Sequence, residues 1–293
     1  MELWITYAIL GSLFAGVNAV LAKVGIKGVN SHLATAVRTV VIVVFSWTIV
    51  FAVGSHVELA DVSGRTWIFL IASGLATGAS WLCFFYALKF GTVSNVSPLK
   101  KSSTVLTIVL SFLILGEVFG LPQFIGIIFI IAGTLFMLEK KDGSKGASQE
   151  GGGNWLLFGI LAAVFASLQT ILGAIGIADV DANLGNAIRV VVVLIASWGI
   201  VFLTGKQKGI GDISKRSLVF LVLSGLATGG SWLFYFRALQ IGPVSAIVPI
   251  DKLSIIFNIL FAWIFLKEKQ SLKRVAGLTC LVIGTLVLVM WLR

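Results

Sequence analysis

Charges and amides stand inside long apolar runs of this chain, among them Asn18, Arg38, Lys100, Lys101, Gln169, Arg189, Arg237, Asp251 and Lys252. A charge at the centre of a membrane helix costs roughly 2.5–3.5 kcal/mol on insertion scales, so such residues face a cavity or a partner. The chemistry they offer is binding. His32 and His56 have no metal-ligand spacing, Cys83 and Cys280 share no metal or redox spacing, and no HExxH, P-loop or GxSxG pattern is present. The sequence supports neither catalysis nor ATP hydrolysis, and it calls for no cofactor or metal.

Each polar residue admits a bland reading beside a functional one. Arg38 and Arg189 either line a cavity or snorkel and cap a carbonyl. Asn18 and Gln169 hydrogen-bond a substrate or a facing helix. Polar residues at helical spacing form a stripe on two runs: Lys100, Ser103, Thr107 and Ser111 on one, Asp251, Ser254 and Asn258 on the other. Lys101 and Lys252 neighbour these stripes. The stripes line a cavity or bond neighbouring helices. Trp81 and Trp232 lie too deep for an interfacial belt, so they either form an aromatic cavity wall or simply pack. Gly74 and Gly78, and again Gly225 and Gly229, form GxxxG, which lets another backbone approach closely. Pro98 and Pro249 precede the charged residues and mark either half-helix ends aimed at a substrate or ordinary first-turn prolines.

The elements that must position these residues follow from composition. The chain has 293 residues, 58% hydrophobic and 12% charged, with a mean hydropathy of +1.05; soluble domains carry about 25% charged residues. Ten apolar runs of about twenty residues read as bilayer spans, near 4–22, 32–53, 66–88, 94–116, 121–138, 155–175, 183–204, 217–239, 245–266 and 274–292. The first is read as a retained helix, because Glu2 stands where a signal peptide would be basic and no cleavage site follows. The net charge of +10 sits mainly in short loops, an orientation signal rather than a nucleic-acid footprint. The expected fold is an all-α membrane protein of ten transmembrane helices.

"SGLATGASWLCFFYALKFG" from Ser73 returns as "SGLATGGSWLFYFRALQIG" from Ser224, and the same offset aligns Phe14 with Phe165, Arg38 with Arg189, Pro98 with Pro249 and Glu117 with Glu268. The chain therefore divides into a five-helix repeat at 1–138, a Gly- and Ser-rich flexible linker at 139–154 and a second repeat at 155–293. Five spans per repeat force the second copy to enter from the opposite face, so the repeats are inverted. Loop charges agree. "GKQKGIGDISKR" and "KEKQSLKR" carry four basic residues each, against only Arg65 in their first-copy equivalents. The positive-inside rule then places the linker in the cytoplasm and both termini outside a multi-pass cell-membrane protein. The copies also differ at two positions together, Tyr86 and Lys100 against Arg237 and Asp251, which predicts an Arg237–Asp251 charge pair, as strut or gate.

The two inverted copies, the "SGLATG.SWL" helix, the "VPIDKLS" segment and the "LGE" and "LKE" triplets together resemble the drug/metabolite transporter superfamily, EamA type. That resemblance covers nearly the whole chain outside the linker. It implies a ten-helix carrier with a central cavity and alternating access, without naming a substrate; many members are held to keep their termini inside.

The expected function is a secondary transporter of a small polar organic metabolite, as monomer or homodimer in the lipid bilayer. It has no nucleic-acid partner, and proton or sodium coupling is left open. The alternative is a non-transporting membrane partner, such as a lipid-flippase subunit or scaffold. Expected cavity residues are Asn18, Arg38, Trp81, Lys101, Thr107, Gln169, Arg189, Trp232, Lys252 and Asn258.

Overall fold

The computed structural model describes residues 2–90, 96, 103–117, 120–136, 154–266 and 272–290, and every regular element among them is helical. In chain order these are α1 (Leu3–Gly25), α2 (Ser31–Val53), α3 (Gly64–Phe90), α4 (Ser103–Leu115), α5 (Leu121–Phe136), α6 (Trp155–Gly176), α7 (Ala182–Leu203), α8 (Lys215–Ile241), α9 (Val244–Lys252), α10 (Ser254–Leu266) and α11 (Leu272–Met290). Six of them, α1–α3 and α6–α8, are long and apolar enough to cross a membrane, with spans of 22 to 27 residues.

The two copies use matching punctuation. Asn30 accepts from His32 N at the start of α2, and its equivalent Asp181 accepts from Asn183 N and Leu184 N at the start of α7. Ser63 and Ser214 cap α3 and α8 in the same way. Gly54 and Gly205, at φ 84° and 67°, end α2 and α7 in the left-handed region that a side chain rarely adopts.

The run expected as one helix over 245–266 is two. α9 stops at Lys252, Leu253 forms a turn, and α10 starts at Ser254. Pro249 lies inside α9, past its first turn, where it offers no N–H to the carbonyl of Ser245. The weakened helix gives way one turn later, at 253, where Leu253 N closes back on Ile250 O. Of the fourth run, only Ser103 onwards and Val96 are described, and the linker lies outside the described residues apart from Asn154.

Packing exchanges the copies. α1 lies along α8 and α3 lies along α6: Ser231 Oγ donates to Gly11 O at 2.9 Å, and its equivalent Ser80 Oγ donates to Ala162 O at 2.8 Å. Equivalent helices also meet each other. Gly126 of α5 abuts Gly284 and Leu288 of α11, while Gly133 abuts Gly277 and Leu281, so α5 and α11 run antiparallel. A two-fold axis along the membrane normal would leave equivalent helices parallel. The repeats are therefore inverted about an axis in the membrane plane.

Two faces follow. At one, the terminal face, α1 begins, α6 and α8 end, and α9 begins; at the other, the linker face, α5 ends and α6 begins. The largest buried cluster lies in the terminal-face half: Trp4 and Ala8, Val50, Leu70, Ile171 and Ile177, Leu184 to Ile188, Phe236 to Leu239, and Val244 to Ile250. This apolar plug packs the helices against one another between the midplane and the terminal face.

Candidate binding cavity

Two arginine nests sit at equivalent places. Arg38 on α2 donates through Nη2 to Asn18 Oδ1 on α1 at 2.7 Å and to Thr228 Oγ1 on α8 at 2.8 Å. The same Asn18 Oδ1 accepts from Ser224 Oγ at 2.7 Å. In the second nest, Arg189 on α7 donates to Ser73 Oγ and Thr77 Oγ1 on α3, both at 2.9 Å, and to Gln169 Oε1 on α6 at 3.3 Å. The Thr77 hydroxyl lies 2.6 Å from Gln169 Oε1 and 2.9 Å from Ser73 O, with one proton to share between the two acceptors. Each nest joins an arginine and an amide of one repeat to two hydroxyls of the other.

Arg189 is only 3% exposed, and its guanidinium carbon lies 4.9 Å from the Trp232 ring centroid and 4.8 Å from that of Phe236. Among the described residues no carboxylate forms an ion pair with either arginine. Arg38 Nε and Arg189 Nη1 are buried without an acceptor. Both nests carry a positive charge that no carboxylate among the described residues compensates.

The GxxxG glycines make these nests possible. A Cβ on Gly74 would fall 2.6 Å from Val192 Cβ and 3.0 Å from the carbonyl oxygen of Arg189; on Gly225 the distances to Val41 Cβ and Arg38 O would be 2.7 and 3.1 Å. Gly78 meets Ala196, and Gly229 meets Phe45. Close approach of α3 to α7, and of α8 to α2, brings the hydroxyls at 73, 77, 224 and 228 within reach of the guanidinium groups.

Between the nests lies a cavity of about 470 Å³. Asn18, Thr107, Gln169, Trp232, Asp251 and Lys252 line it, together with Ser103, Thr104, Thr170, Thr228, Ser231 and Tyr235. Arg38 and Arg189 stand behind the wall, holding the amides that form it. Trp81 is half-buried on α3 and does not line the cavity, although its equivalent Trp232 does. Ser111 is buried and donates to Ile108 O within α4. Lys100, Lys101 and Pro98 lie outside the described residues, as does the side chain of Asn258.

The expected Arg237–Asp251 pair does not form. Arg237 donates to Gln240 Oε1 at 2.5 Å and lies 4.0 Å from Asp181 Oδ2, while Asp251 pairs with Lys252 at 3.0 Å. Arg237 is one turn from the end of α8, near the terminal face, with its side chain 40% exposed. Asp251 lies two turns into the membrane, where α9 breaks and the cavity opens. Lys252 is adjacent and sits on the helix C-terminus, whose partial negative charge favours a cation.

Polar bonds reinforce the terminal face. Gln240 Nε2 donates to the carbonyls of Ile177 and Val180 at 2.8 and 2.6 Å. Asp181 N donates to Glu58 Oε2 at 3.1 Å. The Glu117 carboxylate accepts from Val244 N and Ser245 N at 2.5 and 2.9 Å, filling the role of an N-cap that Pro243 lacks.

Sequence reasoning missed Tyr235, whose signal was a difference between copies, since Phe84 is its equivalent. It gave no bonding role to Thr77, Thr228, Ser73 and Ser224, because their role depends on helices from opposite repeats meeting.

A sequence model of the EamA-like transporter family matches residues 2–139 and again residues 153–290. An "Uncharacterized transporter in cobO 3'region" from Sinorhizobium sp is 46% identical over 134 residues, which cover 46% of this chain and 95% of that protein, a relative about one repeat long. An uncharacterized transporter of Methanothermobacter thermautotrophicus is 26% identical over 225 residues, 73% of this chain and 62% of its own. Human solute carrier family 35 member G1 is 25% identical over 223 residues, 73% of this chain and 60% of its own. A solved crystal structure superposes with TM-score 0.81 at 18% identity, covering 99% of this chain and 97% of the other, a likeness of fold.

Proposed function

This multi-pass membrane chain belongs to the EamA-like transporter family, and from that premise we propose that it carries a small polar organic metabolite by alternating access through the central cavity. The observation that carries the proposal is the polar cavity itself, lined from both inverted repeats and flanked by two arginine nests. A polar midplane cavity is costly in a bilayer and useful to a carrier, whereas a scaffold has no need of one. The buried apolar cluster lies between the cavity and the terminal face, and on this reading it closes the cavity on that side.

The linker face is taken as cytoplasmic. Lys23, Lys27, Lys206, Lys208, Lys215 and Arg216 cluster there, while Glu58, Asp61, Glu117, Asp179 and Asp181 lie at the terminal face.

Cysteine accessibility tests the carrier reading. Thr107→Cys and Ser231→Cys, in a background without Cys83 and Cys280, are probed with a membrane-impermeant thiol reagent on oriented vesicles. A carrier gives labelling from each face in turn, at rates that shift when transport is driven. Labelling from one face alone, whatever the conditions, would rule alternating access out.

A further inference from the structure

We infer that the cavity recognises a small organic oxyanion, a carboxylate or a phosphate ester, through the amide NH2 groups of Asn18 and Gln169. This deepens the carrier reading and rests on it. A guanidinium has donors only, so the amide atom that meets it must be the oxygen. Asn18 Oδ1 takes Arg38 and Ser224, and Gln169 Oε1 takes Arg189 and Thr77. The NH2 end of each amide is what remains, and among the described residues no protein acceptor takes it. Both amides line the cavity. The nests thus turn two neutral amides into oriented donors, each polarised by a positive charge behind it.

The other polar groups sharpen the choice. The Thr228 and Ser231 hydroxyls donate to the carbonyls of Ser224 and Gly11, and Thr107 donates to Ser103 O, so these protons are already engaged. Asp251 and Lys252 face the cavity as a pair 3.0 Å apart and offset each other. Besides the hydroxyls of Ser103, Thr104, Thr170 and Tyr235, which are neutral, what is left is the charge of two guanidinium groups with no carboxylate partner among the described residues. A cavity with spare donors and excess positive charge stabilises an anion and repels a cation. The two equivalent amides, one from each repeat, let the oxyanion be handed across the pseudo-two-fold as the repeats rock.

The test uses the purified full-length protein in detergent and its thermal unfolding in the presence of named probes. These are succinate and glutamate as carboxylates, glycerol 3-phosphate as a phosphate ester, succinamide as the neutral match and choline as the cation. Stabilisation by a carboxylate or by the phosphate, with none from succinamide or choline, is the expected result, and the responding arm identifies the group. Asn18→Asp and Gln169→Glu keep the bond to the arginine but replace the donor NH2 with a second carboxylate oxygen. Each variant should unfold at the parent temperature or above it without ligand, while half-saturation by the active anion weakens roughly tenfold or more. Stabilisation by choline or succinamide alone, or no response to any anion, overturns the inference. Anion binding with cavity cysteines reactive from one face only removes the carrier and keeps the anion site. Reactivity from both faces without anion binding does the reverse.

Discussion

Arg189 is a buried cation held by hydroxyls, an amide oxygen and two aromatic faces, a different situation from a buried ion pair. Breaking a buried pair typically costs about 3–5 kcal/mol because the abandoned partner keeps its charge. Here the hydroxyl partners have other bonds: Ser73 Oγ donates to Gln169 O at 2.6 Å, and Thr77 Oγ1 shares its proton between Ser73 O at 2.9 Å and Gln169 Oε1 at 2.6 Å. Arg189→Met should therefore shift stability by no more than about 1 kcal/mol, measured as thermal unfolding in detergent, while substrate-driven stabilisation is lost. A large drop in unfolding temperature would mean that the nest is structural cement. Charges and amides in apolar runs made Asn18, Arg38, Gln169 and Arg189 visible in the sequence. Their bonding was not visible, because each nest is completed by hydroxyls 92 to 206 residues away. The Arg237–Asp251 expectation failed for a related reason: differences between copies mark residues under separate constraints without saying that the constraints are shared.

Helix packing here turns on where a methyl group can fit. A Cβ on Gly133 would lie 2.5 Å from Gly277 O and 2.6 Å from Leu281 N, and neither backbone atom can move without separating α5 from α11. Gly199 in α7 has nothing within 4 Å of the same position. Gly133→Ala should therefore cost about 1–3 kcal/mol through forced separation, while Gly199→Ala should be neutral or gain up to about 1 kcal/mol of helix propensity. Unfolding temperatures of the two variants, compared side by side, decide the matter; equal shifts would show that the α5–α11 seam tolerates a wider spacing. Span count, the duplication and its inversion were legible because hydropathy and the fixed offset survive in any apolar context. The break at Leu253 was not. Pro249 announces a weakness in its helix, but where the chain yields depends on the cavity that receives residues 251 and 252.

The inverted symmetry of the whole molecule means that anything closing the terminal face has an equivalent position at the linker face, and the two sequences can be compared for the ability to close. At the terminal face Gln240 holds the α6–α7 connection by two carbonyls, Arg237 reaches Asp181, and Asp181 N is held by Glu58. The equivalents at the other face are Lys89, Tyr86, Asn30 and Gly209, which cannot reproduce that set. Among the described residues the terminal face is thus the more firmly latched of the two, and on the carrier reading proposed above the molecule rests closed on that side. The bonds are unequal in worth. The Arg237–Asp181 contact is long and solvent-facing, a kind of pair worth about 0–1 kcal/mol, whereas Gln240 satisfies two carbonyls that would otherwise go unpaired. Gln240→Ala should therefore raise labelling of Thr107→Cys from the terminal face about tenfold, the population shift that a loss of about 1.4 kcal/mol produces, while Arg237→Ala should raise it by about threefold or less. The measurement is the initial rate of modification by an impermeant thiol reagent added to that face alone. If both variants label at the parent rate, the polar bonds are passengers and the apolar plug of Trp4, Leu239 and Ile247 closes the face unaided.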